Sequence, residues 1–334
     1  MTFLLQATTE HLFELRNLHS VHKHFSKWEE GFVEAADSRK LPCNLLFYFE
    51  EEKEMKKTEK ETKNRTLKFR SLNLAQWGFK LSTRPHNARL LANLRCISDS
   101  LSEEEDAGII FLQELTLAKQ HKFQKHLEVM FPEHHIIYPV GYRNERNPKA
   151  AITVTLIPKK FDHKLLELPV LIDNEPWLRY SYIEISGGGL AKSKSVRILN
   201  IHLQHLNLQN HAAWYREARK KQREACLEAI YKVTKENNDA GIPFIIGGDF
   251  NTMDDSDDFS KFIELGMLDV MPESEREKDT WDNPTIGAAN RLDYFLINDA
   301  MKEITEIKEA KVNDDPIHLT TSDHAMLVLD MLVS

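Results

Sequence analysis

From Thr66 onward the chain alternates short apolar runs with longer amphipathic stretches. LKFRSLN (67–73), GIIFLQE (108–114), AITVTLI (151–157), RYSYIEI (179–185), VRILNIHL (196–203), PFIIGGD (243–249), LDYFLI (292–297) and AMLVLDM (325–331) have the length and composition of strands. Helical spacing of apolar residues occupies Asn87–Leu101, Ala118–Met130, His211–Thr234 and Asp258–Leu265. Strands interleaved with helices predict an α/β layered domain over residues 66–334. The run Gly187–Gly189 leads into Leu190 and a Lys/Ser stretch, not a phosphate-cradling helix, and predicts a hairpin loop.

Ahead of this domain, Leu12, Leu15, Leu18, His22 and Phe25 follow helical spacing, so residues 1–49 are expected to form a small helical extension. Residues 50–65 (EEEKEMKKTEKETKNR) are almost wholly charged or polar, with mixed signs, and read as a solvated linker or an exposed helix. What residues 1–65 bind is not legible in their pattern.

Composition narrows the class. With 41% hydrophobic and 29% charged residues, the chain is globular, neither disordered nor membrane-embedded, and no apolar run is long enough to span a bilayer. A net charge of -8 argues against coating nucleic acid by bulk charge, while leaving room for a local basic groove. Cys43, Cys96 and Cys226 are too scattered for a disulfide framework or a cysteine-rich zinc site. The first residues lack the basic and apolar regions of a signal peptide, so the cytoplasm is the default location, with non-classical export the alternative.

Polar residues fit for metal or phosphate chemistry stand at the C-terminal ends of the apolar runs, where open α/β layers carry their sites. Asn73 closes the first run and Glu114 the second. A carboxylate and an amide oxygen at neighbouring strand ends form a hard, oxygen-only pair suited to Mg²⁺, although either residue alone is more often a strand-end cap or a solvated polar residue. In PFIIGGDFN, Asp249 and Asn251 stand two apart and share a face if the strand continues, and Gly247 and Gly248 permit close backbone approach. An acid beside an amide matches phosphoryl hydrolysis: the carboxylate orients or deprotonates water, and the amide donates to a non-bridging oxygen as charge builds. A Gly-Gly turn with an Asx cap is the plain alternative. Asn200 and His202 likewise share a face, where a lone histidine is ordinarily a satisfied core residue. Asp323 precedes His324 directly and points to the opposite side in extended chain, so the partner that fixes the histidine's tautomer must come from elsewhere; Asp293 is the best candidate.

Taken together, LN (72–73), QE (113–114), NIHL (200–203), GGDFN (247–251), RLDYFL (291–296) and SDH (322–324) resemble, in order and spacing, the motifs of the endonuclease/exonuclease/phosphatase superfamily. The resemblance covers about residues 66–333. It implies a four-layer α/β sandwich, two mixed β-sheets packed face to face with helices outside. It also implies a Mg²⁺ ion, with Mn²⁺ as a substitute, held by Glu114 with help from Asn73 and with Asp323 at its edge. Asp249 would activate the attacking water, Asn251 would hold the pentavalent phosphorus, His324 paired with Asp293 would donate to the phosphate, and His202 would contact a phosphate oxygen. The implied activity is metal-dependent hydrolysis of phosphodiester bonds, of nuclease or phosphodiesterase type. Three positions depart from the pattern: Ala75 stands where several nuclease branches have Asp, Ile201 where Thr is usual, and residues 143–151 lack an expected glycine.

The phosphate-ester substrate is less defined. IHLQH (201–205) and LNLAQWG (72–78) are similar to stretches of the sphingomyelinase branch, which implies a phospholipase C-like activity on a membrane lipid. DTWDNP (279–284) before RLDYFL is similar to nuclease and tyrosyl-DNA phosphodiesterase branches, which implies nucleic acid. Arg216, Arg219, Lys220, Lys221 and Arg223 are candidates for gripping a polyanion, or form a solvated helix face. Trp77 and Trp281 are candidates for base stacking, or for packing. An inositol or nucleotide phosphomonoesterase and a non-catalytic binding module are the remaining alternatives; the intact acid, amide and histidine set weighs against the last.

Overall fold

The computed structural model describes residues 66–75, 86–101, 108–116, 120–142, 151–168, 170–172, 175–190, 195–206, 212–283, 287–318 and 321–334. The expected N-terminal extension, the charged linker and Trp77 lie outside them.

Two six-stranded mixed sheets form the centre of the described structure. The first is built from β1 (Thr66–Asn73), β2 (Ile109–Thr116), β3 (His134–Ile137), β4 (Ala151–Pro158), β15 (Thr305–Asn313) and β16 (Met326–Val333), in the order β15-β16-β1-β2-β4-β3. The second is built from β5 (Phe161–Leu166), β8 (Tyr180–Gly187), β9 (Val196–His202), β10 (Phe244–Asp249), β11 (Met267–Asp269) and β14 (Asp293–Asn298), in the order β11-β14-β10-β9-β8-β5. Each sheet holds one parallel pair, β1 with β2 and β9 with β10, among antiparallel neighbours. The predicted hairpin at Gly187–Gly189 joins β8 to β9. The two-stranded pairs β6 (Leu171–Ile172) with β7 (Glu175–Pro176), and β12 (Trp281–Asn283) with β13 (Ala288–Asn290), complete the strands.

Period-two alternation sorts the side chains into layers. Leu67, Phe69, Ile109 and Phe111 of the first sheet meet Ile183, Ile185, Ile198, Ile245, Phe295 and Ile297 of the second in one buried cluster. Phe69, Phe111 and Phe295 pack ring to ring there at 6.0–6.1 Å, and each fully buried ring contributes about 1.5–3 kcal/mol. Outside the first sheet, Leu72, Ile110 and Leu112 pack on α1 (His86–Asp99) and α2 (Gln120–Met130) through Leu90, Leu94, Ile97, Phe123 and Leu127. Outside the second, Leu199, Phe244 and Ile246 pack on α3 (Ala213–Asp239) and α4 (Asp257–Glu264) through Leu227, Ile230, Phe259 and Phe262. The result is the four-layer sandwich that the resemblance implied. No described helix is long and apolar enough to cross a membrane.

Several edge strands escape the apolar-run criterion for a physical reason. The pattern of β5 (FDHKLL) is exposed along its middle, and β15 (TEIKEAKVN) is largely exposed, because an edge strand with one wet face needs no continuous apolar run. Helix α3 continues five residues past Thr234 through the polar stretch KENND. Asn237 anchors that end: it is buried, exchanges hydrogen bonds with Tyr182 and accepts one from Arg197 at 2.8 Å.

Candidate active site

The same alternation that buries the inter-sheet core delivers polar residues to its open end. On the second sheet, Asp249 pairs in register with His202 on one side and Asp293 on the other, so three adjacent strands present three functional groups in a row. The parallel strands β9 and β10 end here, whereas antiparallel β14 begins here. Across the sandwich, β1 ends at Asn73, whose Nδ2 donates to Asp249 Oδ2 at 2.9 Å. Beneath them lies a layer of amides: Gln113 Nε2 donates to Asn200 Oδ1 at 2.9 Å, and Asn200 Nδ2 donates to the Val154 carbonyl at 3.1 Å. Gln113 also donates to Ser71 Oγ. These buried bonds tie one sheet to the other directly under the site.

Local backbone distortion completes the constellation. Among the described residues, the non-glycine positions with positive φ are Ala75 (46°), Glu114 (58°) and Asn251 (48°), all at this rim. Such conformations cost about 1–3 kcal/mol each and persist where the surroundings enforce them. In a regular strand Glu114 would face away from Gln113, towards the helices. The β2–β4 register shifts between Leu112 and Leu115, and this irregularity leaves Glu114 Oε1 3.8 Å from His202 Nε2 and turns Leu115 outward, onto the layer that holds Ile110 and Leu112. At Asn251 the strand has already ended, so the simple shared-face reading does not apply. Its left-handed backbone turns it back onto Asp249: the Asn251 N–H donates to Oδ1 at 2.8 Å and its Nδ2 to Oδ2 at 3.0 Å. Gly248 is required here, with φ +125° and a site where an added Cβ would collide with the Ile201 carbonyl.

His324 Nδ1 lies 2.8 Å from Asp293 Oδ2, and its Nε2 lies 3.9 Å from Asp249 Oδ2. Thr280 locks the aspartate: its hydroxyl donates to Asp293 Oδ2 at 2.8 Å and accepts from the Leu292 and Asp293 N–H groups. Ser322 locks the histidine's backbone, accepting from the His324 N–H at 3.1 Å and donating to the Asn73 carbonyl at 2.6 Å. His202 Nε2 stands 3.6 Å from Asp249 Oδ2. Asp323 is half-buried; its Oδ2 accepts from Trp281 Nε1 at 3.3 Å, and its charge is felt by His324 and Arg89.

Electrostatics separates the two histidines. Burial disfavours charge on His324, but the carboxylate of Asp293 outweighs it, with help from Asp249 and Asp323, and raises the imidazolium to about 10. His202 goes the other way: burial, and then the charges of Arg179, His324 and His205, hold it well below the ordinary histidine range. Asp249 is raised to about 7 by burial and by the Asp293 carboxylate. The rim therefore carries a charged imidazole, a neutral imidazole and a carboxylate poised near neutrality.

Asn73, Glu114, His202, Asp249, Asn251, Asp293 and His324 thus lie at or beside one rim, with Asp323 turned to Trp281. Other contributors carried weaker signals. Arg179 precedes β8, passes its carbonyl to the His202 N–H, and is pulled down by burial and up by Glu114 and Asp249. A lone arginine opening an apolar run was its only sign in the sequence. Arg223 is buried, not a solvated cation: its Nη1 donates to the carbonyls of Gln204 and Phe250, just beyond His202 and Asp249, and its Nε to Asp258 at 3.0 Å. Lys220 and Lys221 face solvent in ion pairs with Glu224 and Glu217.

A family model described as the Endonuclease/Exonuclease/phosphatase family matches residues 86–324. The chain belongs to this family. Solved structures of the endonuclease/exonuclease/phosphatase family share its fold. One from Bacteroides vulgatus is 16% identical with a TM-score of 0.59, covering 80% of this chain and 99% of that one. The human Nocturnin catalytic domain with bound sulfate is 17% identical with a TM-score of 0.55, covering 81% and 95%. D. rerio TDP2 complexed with a single-strand DNA product is 17% identical with a TM-score of 0.54, covering 80% and 98%. No curated protein sequence matches the chain.

The donor set fits a hard divalent cation of the kind this family implies. Glu114 supplies a partly exposed carboxylate, and Asn73 Oδ1, which accepts from the Ala75 N–H, retains a second lone pair. The buried carboxylates of Asp249 and Asp293 lie beside this pair, while His324, protonated against Asp293, has no lone pair left to offer a cation.

Proposed function

We propose that this protein is a Mg²⁺-dependent hydrolase of phosphodiester bonds, in which a water activated at Asp249 attacks phosphorus. The observation that carries the reading is the pair of buried groups with opposite tasks: Asp249, poised near neutrality, and His324, held as an imidazolium by Asp293, face each other at 3.9 Å.

Glu114 and Asn73 would hold the cation, with Asp323 at its margin; Mn²⁺ suits the same oxygen donors. When bound, such an ion polarises the phosphate and stabilises the leaving oxygen. Asp249 takes the proton of the attacking water, a task suited to a carboxylate raised from its usual range. Asn251 and Asn73 fix its two oxygens, which leaves it one orientation. Asn251 meets the phosphorus group by trading its Nδ2 bond to Asp249 for one to a non-bridging oxygen. His324 donates from Nε2 to the phosphate, because Nδ1 is committed to Asp293. His202, neutral, hydrogen-bonds a phosphate oxygen without adding charge. Asn73, Glu114, Asp249, Asn251, His202, Asp293 and His324 thus divide binding, proton removal and proton donation among them.

Nucleic acid is the favoured substrate class. The TDP2 relative complexed with single-strand DNA product supports it, as does Trp281, bridged to His324 at the rim. Hydrolysis of bis(p-nitrophenyl) phosphate, single- and double-stranded DNA, RNA, sphingomyelin and inositol phosphates, with and without EDTA, tests the reading. Metal-dependent cleavage of a diester supports it; cleavage of monoesters alone, or of none of these, overturns it.

A further inference from the structure

The basic residues of helix α3 separate into spent and unspent charges. Lys220, Lys221 and Arg223 have acidic partners. The Arg219 guanidinium meets only the Tyr215 hydroxyl, at 2.9 and 3.0 Å, and lies 5.3 Å from that ring's centroid; no carboxylate reaches it among the described residues. Arg179, whose carbonyl holds the His202 N–H, has no side-chain hydrogen bond or ion pair among the described residues either. Arg219 stands one turn before Arg223, whose guanidinium holds the carbonyls of Gln204 and Phe250 just beyond His202 and Asp249, so it lies on the face of the helix that meets the rim; there it opposes the charge on Arg179, which Glu114 and Asp249 favour from the catalytic side. Arg179 has Glu114 and Asp249 on its catalytic side, whereas Arg219 meets no carboxylate among the described residues, and a bound anion would supply the charge that Arg219 lacks.

Tyr215 stands one turn before Arg219, and its chain neighbour Trp214, edge-on to it at 5.8 Å, is 74% exposed, the most exposed large apolar side chain among the described residues. A trail therefore leads from the reaction centre through Arg179 and Arg219 to an uncovered indole. We propose that these three residues form a subsite for single-stranded nucleic acid: the guanidiniums clasp the phosphate next to the scissile one, and the base beyond it stacks on Trp214. The inference rests on the phosphodiesterase reading and specifies its substrate. An inositol polyphosphate has no π-face to offer the indole, a choline head group would meet two like charges, and duplex bases are already stacked.

The test is anisotropy of a labelled eight-nucleotide oligo-dT in an Asp249→Asn background, which slows turnover enough for binding to be read. Trp214→Ala should weaken binding about 10-fold, within the range of one base stacked on an aromatic ring, and leave the salt slope unchanged. Arg219→Gln should weaken binding and reduce the slope of log K against log salt by about 0.7, one phosphate contact on a single strand. Lys232→Ala, exposed on the same helix away from the site, should change neither. Inositol hexakisphosphate affinity should be indifferent to Trp214→Ala. Absence of oligo-dT binding, binding unaffected by Trp214→Ala, or an equal loss for inositol hexakisphosphate overturns the subsite. Wild-type hydrolysis of bis(p-nitrophenyl) phosphate is scored separately: if it fails while binding depends on Trp214, the catalytic reading falls and the subsite stands.

Discussion

Asp293 Oδ2 receives both His324 Nδ1, at 2.8 Å, and the Thr280 hydroxyl, at 2.8 Å, so a single carboxylate oxygen fixes the imidazole's orientation and supports its charge. The balance of burial against Asp293 raises His324 to about 10, and a group whose folded pKa is raised stays protonated until pH climbs through that value. Activity that needs the imidazolium should therefore persist through neutral pH and fall on an alkaline limb. Asp293→Asn removes the opposite charge and should move that limb down by about 1–3 pH units. A kcat/KM profile of both proteins is the measurement, and an unmoved limb would detach His324 from the limb.

Asp249→Asn and His324→Ala should each lower turnover by roughly 10²-fold or more, the scale of a positioned base or acid. Circular dichroism should show both folded, since the hydrophobic layers do not depend on either side chain. Wild-type rates in both variants on a cleaved diester would remove their assigned roles.

Arg223 offers a separate check on how the site is held. Its guanidinium pins the carbonyls of Gln204 and Phe250, the segments that leave His202 and Asp249. Arg223→Met keeps the packed stem but leaves two buried acceptors without donors, at about 1–3 kcal/mol. Stability should fall by that order in urea, with kcat reduced more than KM is raised, because the loss is one of alignment. An effect on KM alone would make Arg223 a substrate contact instead.

Gly248→Ala should be among the most damaging small substitutions. The residue has φ +125°, and the added methyl would enter the space of the Ile201 carbonyl on the neighbouring strand. Strain and displaced pairing predict a loss of about 2–4 kcal/mol and a lowered Tm, read by thermal unfolding. A variant as stable as the parent would show that the β9–β10 strand ends are free to separate.

The interior strands were legible because burial on both faces leaves long apolar runs, and the polar residue closing each run marked the rim: Asn73, His202 and Asp249 all emerged this way. Asp293 was legible as the partner of His324 by elimination, once Asp323 was seen to face away. What the pattern could not convey was geometry created by departures from regularity. Glu114 reaches His202 only through the irregularity in β2, and Asn251 reaches Asp249 only through a left-handed residue. Arg223 looked like one of five surface cations, and only three-dimensional packing shows it buried under two carbonyls. Edge strands such as β15 were hidden because one wet face breaks the apolar run.

Metal dependence is the last and most direct consequence. Asp249 and Asp293 are both nearly inaccessible, Glu114 lies beside them, and the nearby cations are His324 and Arg179. Under the proposed mechanism a divalent ion would offset these carboxylates, so EDTA should abolish diester hydrolysis and Mg²⁺ or Mn²⁺ should restore it. Glu114→Gln keeps the side chain's size but removes one unit of charge from the proposed ligand set. It should raise the Mg²⁺ concentration for half-maximal activity by about 10-fold or more, the scale of losing a ligand's contribution to a metal site, with a smaller loss of rate at saturating metal. Because the backbone at Glu114 is left-handed whichever side chain stands there, the Gln variant should fold with the same strand irregularity. Hydrolysis that survives chelation, or a Glu114→Gln protein with an unchanged Mg²⁺ requirement, would show that the ion is not held here.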